Sequence, residues 1–149
     1  MYKFEQTVLI NRRQQEVFDY LADLSNGPQW QSSAISAERT SEGPIGVGST
    51  WRRTTRALGR TSDAEYECTS YDPPDEFSIK SLSGPTSTDI TYSLKSTEGG
   101  TQVSITGQIE FRGLLKLMEG WVSKQADKLL VEDTNTLKHL LEEGDVGAS

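Results

Sequence analysis

The feature that most restricts the fold is a change of period late in the chain. From Ser49 to Ile109 apolar residues alternate with polar ones, in the sets Phe77/Ile79, Ile90/Tyr92/Leu94 and Val103/Ile105/Ile109. Alternation of this kind gives a strand one apolar face and one polar face, the pattern of an antiparallel sheet with a wet side. Turn-forming groups interrupt it at Leu58-Gly59-Arg60, Asp72-Pro73-Pro74-Asp75, Ser83-Gly84-Pro85 and Glu98-Gly99-Gly100, so the stretch reads as a meander. From Gly113 to about Glu143 there is no proline, and Leu115, Met118, Val122, Ala126, Leu129, Leu137 and Leu140 recur at helical spacing, with Leu114, Trp121 and Leu130 on the flanks. A helix of about 30 residues is ~45 Å long, enough to cross a whole sheet. A curved sheet closed by one long helix leaves a space between them, and that space is the natural ligand site.

The start of the chain completes the layout. Phe4, Val8 and Ile10 share one face of a first strand, with Lys3, Glu5 and Thr7 on the other. Asn11 is placed to cap a helix, with Gln14 three residues on, and Val17, Phe18, Leu21 and Leu24 follow at helical spacing. Ser25-Asn26-Gly27-Pro28 ends that helix and Trp30 closes the block. The glycine-rich run Glu42 to Gly48 lacks the Gly-Lys-Ser/Thr ending of a phosphate loop and leads into a strand, so it reads as a structural turn.

Composition excludes several functions. With 149 residues the chain fits one domain, expected over residues 1–143 with a flexible tail at 144–149. A formal charge of -7 makes the surface as a whole repel phosphate backbones, which argues against nucleic acid. No apolar run approaches the ~20 residues of a membrane span, and mean hydropathy is -0.57. One cysteine and the lack of a signal-peptide pattern favour the cytoplasm. One histidine excludes Cys/His metal clusters and would leave a Ser/His/Asp triad resting on His139 alone. No metal and no cofactor is expected.

The hairpin after Ser49 can be registered from its sequence. A two-residue turn at Gly59-Arg60 pairs Arg56 with Asp63, Thr54 with Glu65 and Arg52 with Glu67 on the outer side. Cross-strand pairing with acids then accounts for most of the arginine run. The same register turns Trp51, Arg53, Thr55, Ala64, Tyr66 and Cys68 inward, so Arg53 is the exception among the arginines.

The sequence resembles the polyketide cyclase/dehydrase and lipid-transport superfamily, with the START-like, helix-grip fold also seen in the major birch pollen allergen. The residues that carry the likeness are Val17 to Asp23 with Trp30, Gly46 to Trp51, Thr69 to Pro74 leading to Phe77, and Gly99 to Val103. The resemblance implies an α+β fold, a seven-stranded antiparallel sheet gripping a long C-terminal helix, with two short helices after the first strand. It also implies a mostly apolar cavity that carries lipids, sterols, plant hormones or polyketides, with cyclisation or dehydration in a minority of members. It carries over no universal catalytic residue.

The polar groups expected at that cavity are few. Asp133 falls near the centre of the helical stripe, where a carboxylate must be paired or protonated; it is either a polar anchor for a ligand or a structural acid. Arg53 is its counterion, a grip for a ligand oxygen, or a partner stacked on Tyr66. Tyr66 and Tyr92 bring hydroxyls, while Trp51, Trp30, Phe77, Ile79, Met118 and Val122 complete the expected wall. Cys68 reads as a small hydrophobe and His139 as a surface residue at the helix end. The reading is a binder or carrier of a small, largely apolar molecule, as monomer or homodimer. A polyketide cyclase or dehydratase using the same cavity is the alternative, and a protein-interaction module is disfavoured by the paired charges of the outer hairpin.

Overall fold

A computed structural model describes residues 1–57 and 59–143. Leu58, part of one expected turn, and the expected tail at 144–149 lie outside them. Strand β1 (Tyr2–Ile10) is followed by α1 (Gln14–Ala22), a 3-10 turn (Leu24–Asn26) and the short α2 (Gly27–Trp30). Then come β2 (Ala34–Arg39), β3 (Thr50–Ala57), β4 (Arg60–Asp72), β5 (Glu76–Ser81), β6 (Thr86–Thr97) and β7 (Gly100–Phe111), and finally α3 (Leu114–Leu117) and α4 (Glu119–Glu143). The seven strands form one antiparallel sheet in the order β1-β7-β6-β5-β4-β3-β2.

The alternation in the sequence is the inside and outside of this sheet. Val8, Ile10, Leu94, Tyr92, Phe77, Ile79, Val103 and Ile105 are buried on its inner face and cluster with Val17, Phe18 and Leu21 of α1 and Leu137 and Leu141 of α4. Phe77 is sandwiched here: it stacks on Tyr92 at 4.6 Å between ring centres and receives Phe18 edge-on at 5.5 Å. The chain doubles back from β6 to β7 at Gly100, whose φ is +126° and where an added Cβ would lie 2.2 Å from the Ile10 carbonyl oxygen. Only glycine fits that backbone approach.

Three details of the expected layout are corrected. Asn11 does not cap α1, which begins at Gln14 with Arg13 in the cap position. Its backbone N–H is used elsewhere, donating to the Glu142 carboxylate at 2.8 Å, and the Gln14 amide donates to the Pro74 carbonyl at 2.8 Å. Long-range docking of the chain ends has taken the groups that a local capping box would use.

The β3–β4 hairpin is offset by two residues from the expected register. Arg52 lies opposite Glu65, Thr54 opposite Asp63 and Arg56 opposite Thr61. A shift of two preserves every face, so Trp51, Arg53, Tyr66 and Cys68 still point inward together. The expected pairs Arg52–Glu67 and Arg56–Asp63 are replaced by Arg52–Glu65, which is exposed and 3.9 Å long, a geometry of little energetic weight. Around the glycine-rich run, Ser49 accepts from the Gly46 N–H at 3.0 Å and donates its own N–H back to the Gly46 carbonyl at 3.0 Å, closing a turn into β3.

The closing helix is interrupted and only half of its stripe is covered. Met118 leaves helical geometry between α3 and α4. Leu137 and Leu141 are completely buried, whereas Leu114, Leu117, Met118, Trp121 and Leu129 are exposed. Helical period reports an apolar face, and the tertiary contact of α4 with β1 and α2 decides which part of that face is used. Truncation should separate the two halves: Leu137→Ala is expected to lower unfolding free energy by about 2–5 kcal/mol, Leu129→Ala by less than about 0.5 kcal/mol, measured by urea denaturation.

Candidate functional site

The inner face of β3 places a guanidinium beside the apolar groups of β5 and β6. Arg53 is half-buried, and its Nε is buried without a hydrogen-bond partner among the described residues. Its Cζ lies 6.0 Å from the centre of the Tyr66 ring, which sits diagonally across the hairpin because Ala64 is the residue directly opposite. The arrangement holds the cation over an aromatic face while one donor stays unused.

Around Arg53 the side chains come from four parts of the chain. Leu21, Asp23 and Leu24 descend from the end of α1, and Gly27, Trp30 and Gln31 from α2 and the residue after it. Ile79, Ile90 and Tyr92 rise from the sheet. They enclose about 20 Å³, room for about one water molecule. The expected cavity between sheet and helix is therefore closely filled beside Arg53.

The charges and hydroxyls nearby are tuned by burial. Burial pushes the Tyr92 phenol up to about 12, with the Arg53 charge opposing that shift, so Tyr92 is a neutral donor at physiological pH. Burial likewise pushes the Asp133 carboxyl above the usual aspartate range, opposed by hydrogen bonding from Ser32 and by the positive charge of Arg53. The Ser32 backbone N–H donates to Asp133 Oδ1 at 3.1 Å. Asp133 thereby ties α4 to the chain between α2 and β2, and the structural reading of this acid holds for at least one of its oxygens.

Of the wall residues inferred from the sequence, Trp30, Ile79, Arg53 and Tyr92 meet at this spot, with Tyr66 beside Arg53 and Phe77 stacked behind Tyr92. Trp51 is fully buried one register step away, its indole N–H making a long 3.4 Å hydrogen bond to Asp23. Met118 does not join them: it is exposed at the break before α4. Val122 is half-buried in the part of α4 whose apolar neighbours face outward. Cys68 is buried, its thiol pushed up by burial, and it donates to the Ser70 carbonyl at 3.3 Å, a packed thiol rather than an activated one. His139 pairs with Glu143 on the outer face of α4.

The sheet order, the gripping helix and this inward-facing set can be compared with known proteins. The model of the family "polyketide cyclase / dehydrase and lipid transport" matches residues 1–142. The chain belongs to that family. Its fold is that of a START superfamily protein from Mycobacterium smegmatis, 13% identical, with a TM-score of 0.79 over 96% of this chain and 99% of the other. It is equally similar to the Zhui aromatase/cyclase from Streptomyces sp. R1128, 18% identical, with a TM-score of 0.79 over 97% and 94% of the two chains. Ara h 8.0201 is 15% identical, with a TM-score of 0.63 over 91% and 97%. At these identities the likeness establishes the fold alone. No curated protein matches the sequence.

Within this member of the polyketide cyclase/dehydrase and lipid-transport family, sequence reasoning overlooked Asp23 and Gln31. Asp23 accepts from the Ser25 N–H at 3.1 Å and from its hydroxyl at 2.6 Å, capping the 3-10 turn. Its signal was local: an acid directly ahead of Leu24-Ser25-Asn26 is a capping residue for a second turn. Gln31 carried no signal, since its place beside Arg53 follows from how α2 folds over the sheet.

The Asp133 assignment has a measurable consequence. Its folded-state value is raised, so its protonation favours the fold below the ordinary aspartate range, and that contribution is lost as pH rises through the raised value. Asparagine keeps an oxygen to accept the Ser32 N–H and removes the titration. Asp133→Asn should therefore gain stability relative to the native chain as pH moves from acidic to neutral. A Tm difference that does not change with pH would overturn the assignment.

Proposed function

We propose that this chain binds or carries a small, largely apolar molecule between sheet and α4, with a carbonyl, hydroxyl or carboxylate of that molecule accepting from Arg53. The observation that carries the reading is the buried Arg53 Nε without a partner among the described residues, in a setting where Trp30, Ile79, Ile90 and Tyr92 are joined by the polar Asp23 and Gln31. An unused buried donor on a cation is costly, and a ligand oxygen removes that cost. Family membership supports the same class of ligand. With about 20 Å³ beside Arg53, a lipid or polyketide enters only if the α2 segment or α4 moves outward. Because α4 is tied to that segment through Asp133 and Ser32, such a movement must break the Asp133 bond or carry it along. We place the chain in the cytoplasm, where its single free Cys68 stays reduced.

A second reading, a polyketide cyclase or dehydratase, is favoured by the raised Asp133 carboxyl in the neighbourhood of the Arg53 charge. There Arg53, with Tyr66 and Tyr92, polarises a carbonyl while Asp133 moves a proton, without a covalent intermediate. Turnover of a linear polyketide substrate that is lost in both Arg53→Ala and Asp133→Ala supports this reading over the first.

The binding reading is tested with long-chain fatty acids and the matching alcohols, by native mass spectrometry and titration. Arg53→Gln is expected to weaken fatty-acid binding about 10- to 100-fold, in line with loss of a charged hydrogen bond. Equal binding by Arg53→Gln and the native chain, or no retained small molecule of any kind, would sink it.

A further inference from the structure

The uncovered end of the closing helix is amphipathic in an unusual direction, since its apolar residues face away from the core. Leu114 is 71% exposed, Leu117 83%, Met118 44% and Trp121 50%. They flank the break at Met118, where the Trp121 and Val122 N–H groups both donate to the Met118 carbonyl, and all four are exposed. Leu82, 48% exposed, belongs to the same end of the molecule: Arg112, next to α3, donates to the Gly84 carbonyl at 3.2 Å and holds the β5–β6 turn against the start of α3.

The charge of residues 112–128 is opposite to that of the protein as a whole. Arg112, Lys116, Lys124 and Lys128 are the bases between residues 112 and 128, all exposed; Glu119 and Asp127 are the acids. Both acids are engaged with the start of the chain. Glu119 pairs with the N-terminal ammonium at 3.1 Å, and Asp127 accepts from the Tyr2 hydroxyl. Lys124 and Lys128 lie on the same helical face as Trp121, one and two turns further on. The face therefore presents an apolar tip followed by lysines, within a chain of formal charge -7.

We propose that this end docks on the surface of a bilayer containing anionic lipids. The leucines, Met118 and Trp121 enter the boundary between headgroups and acyl chains, and Lys124 and Lys128 reach the lipid phosphates. At physiological ionic strength charges are screened beyond ~8 Å, so the local basic face, not the acidic body, sets the attraction. A second copy of this chain fits less well, because it would bring the same lysines together. The inference concerns the outer surface and holds whatever molecule the interior takes.

The test is flotation of the full chain with phosphatidylcholine vesicles, with and without phosphatidylglycerol, at low and high salt, alongside tryptophan emission. Trp30 and Trp51 are buried, so a blue shift on binding reports Trp121. Binding is expected with phosphatidylglycerol, weakened by salt. Leu117→Asp, at an exposed position, should reduce it about tenfold or more, and Lys124→Glu with Lys128→Glu by a similar factor, with thermal melts unchanged. The proposal is overturned by absence of binding, by equal binding to both vesicle types, or by binding that Leu117→Asp leaves intact. A dimer that Leu117→Asp dissociates, without vesicle binding, also overturns it.

Discussion

The whole architecture depends on how the C-terminal half of α4 is fastened to the beginning of the chain. Leu137 and Leu141 supply the apolar part, both completely buried against the sheet and α1. The polar part comes from the β1–α1 connection. Arg12 donates to the Leu141 carbonyl at 2.6 Å, the Asn11 N–H to Glu142 at 2.8 Å, and Lys138 to the Leu9 carbonyl at 2.6 Å. The Arg12 bond satisfies one of the carbonyls that the end of a helix leaves without partners, and all three bonds join residues more than a hundred positions apart. The clamp sets α4 against β1 at one edge of the sheet and, through α2, against the segment that leads into β2 at the other edge.

The other half of α4 is held differently. Tyr2 with Asp127 and the N-terminus with Glu119 are peripheral polar contacts, and the apolar residues nearby face outward. This asymmetry gives the two ends of the helix separate tasks: one closes the core, while the other supplies the proposed docking surface. Between them, Asp133 is the hinge of the polar network, with the Ser32 bond on one side and the field of Arg53 on the other.

Much of this was legible in the residues. Period two identified the inner face of each strand from Ser49 onward, and parity alone was enough to turn Arg53, Tyr66 and Trp51 inward even though the hairpin register was two residues off. The exact partners were not legible, because side-chain alternation is unchanged by a shift of two and only turn geometry selects between such registers. The burial of α4 could not be read from its stripe either. Leu129 and Leu137 carry the same local signal, yet one is exposed and the other has no exposed surface.

The sequence by itself determined the class of fold, the inward set of polar groups and the exclusion of cysteine and histidine metal chemistry, since these follow from composition and from the short periods of strand and helix. Tertiary structure alone decided that Asn11 serves α4 rather than α1, that Asp23 and Gln31 stand beside Arg53, and that the space there is about 20 Å³. Those outcomes depend on which surfaces meet across the fold, and local periodicity contains no information about the partner.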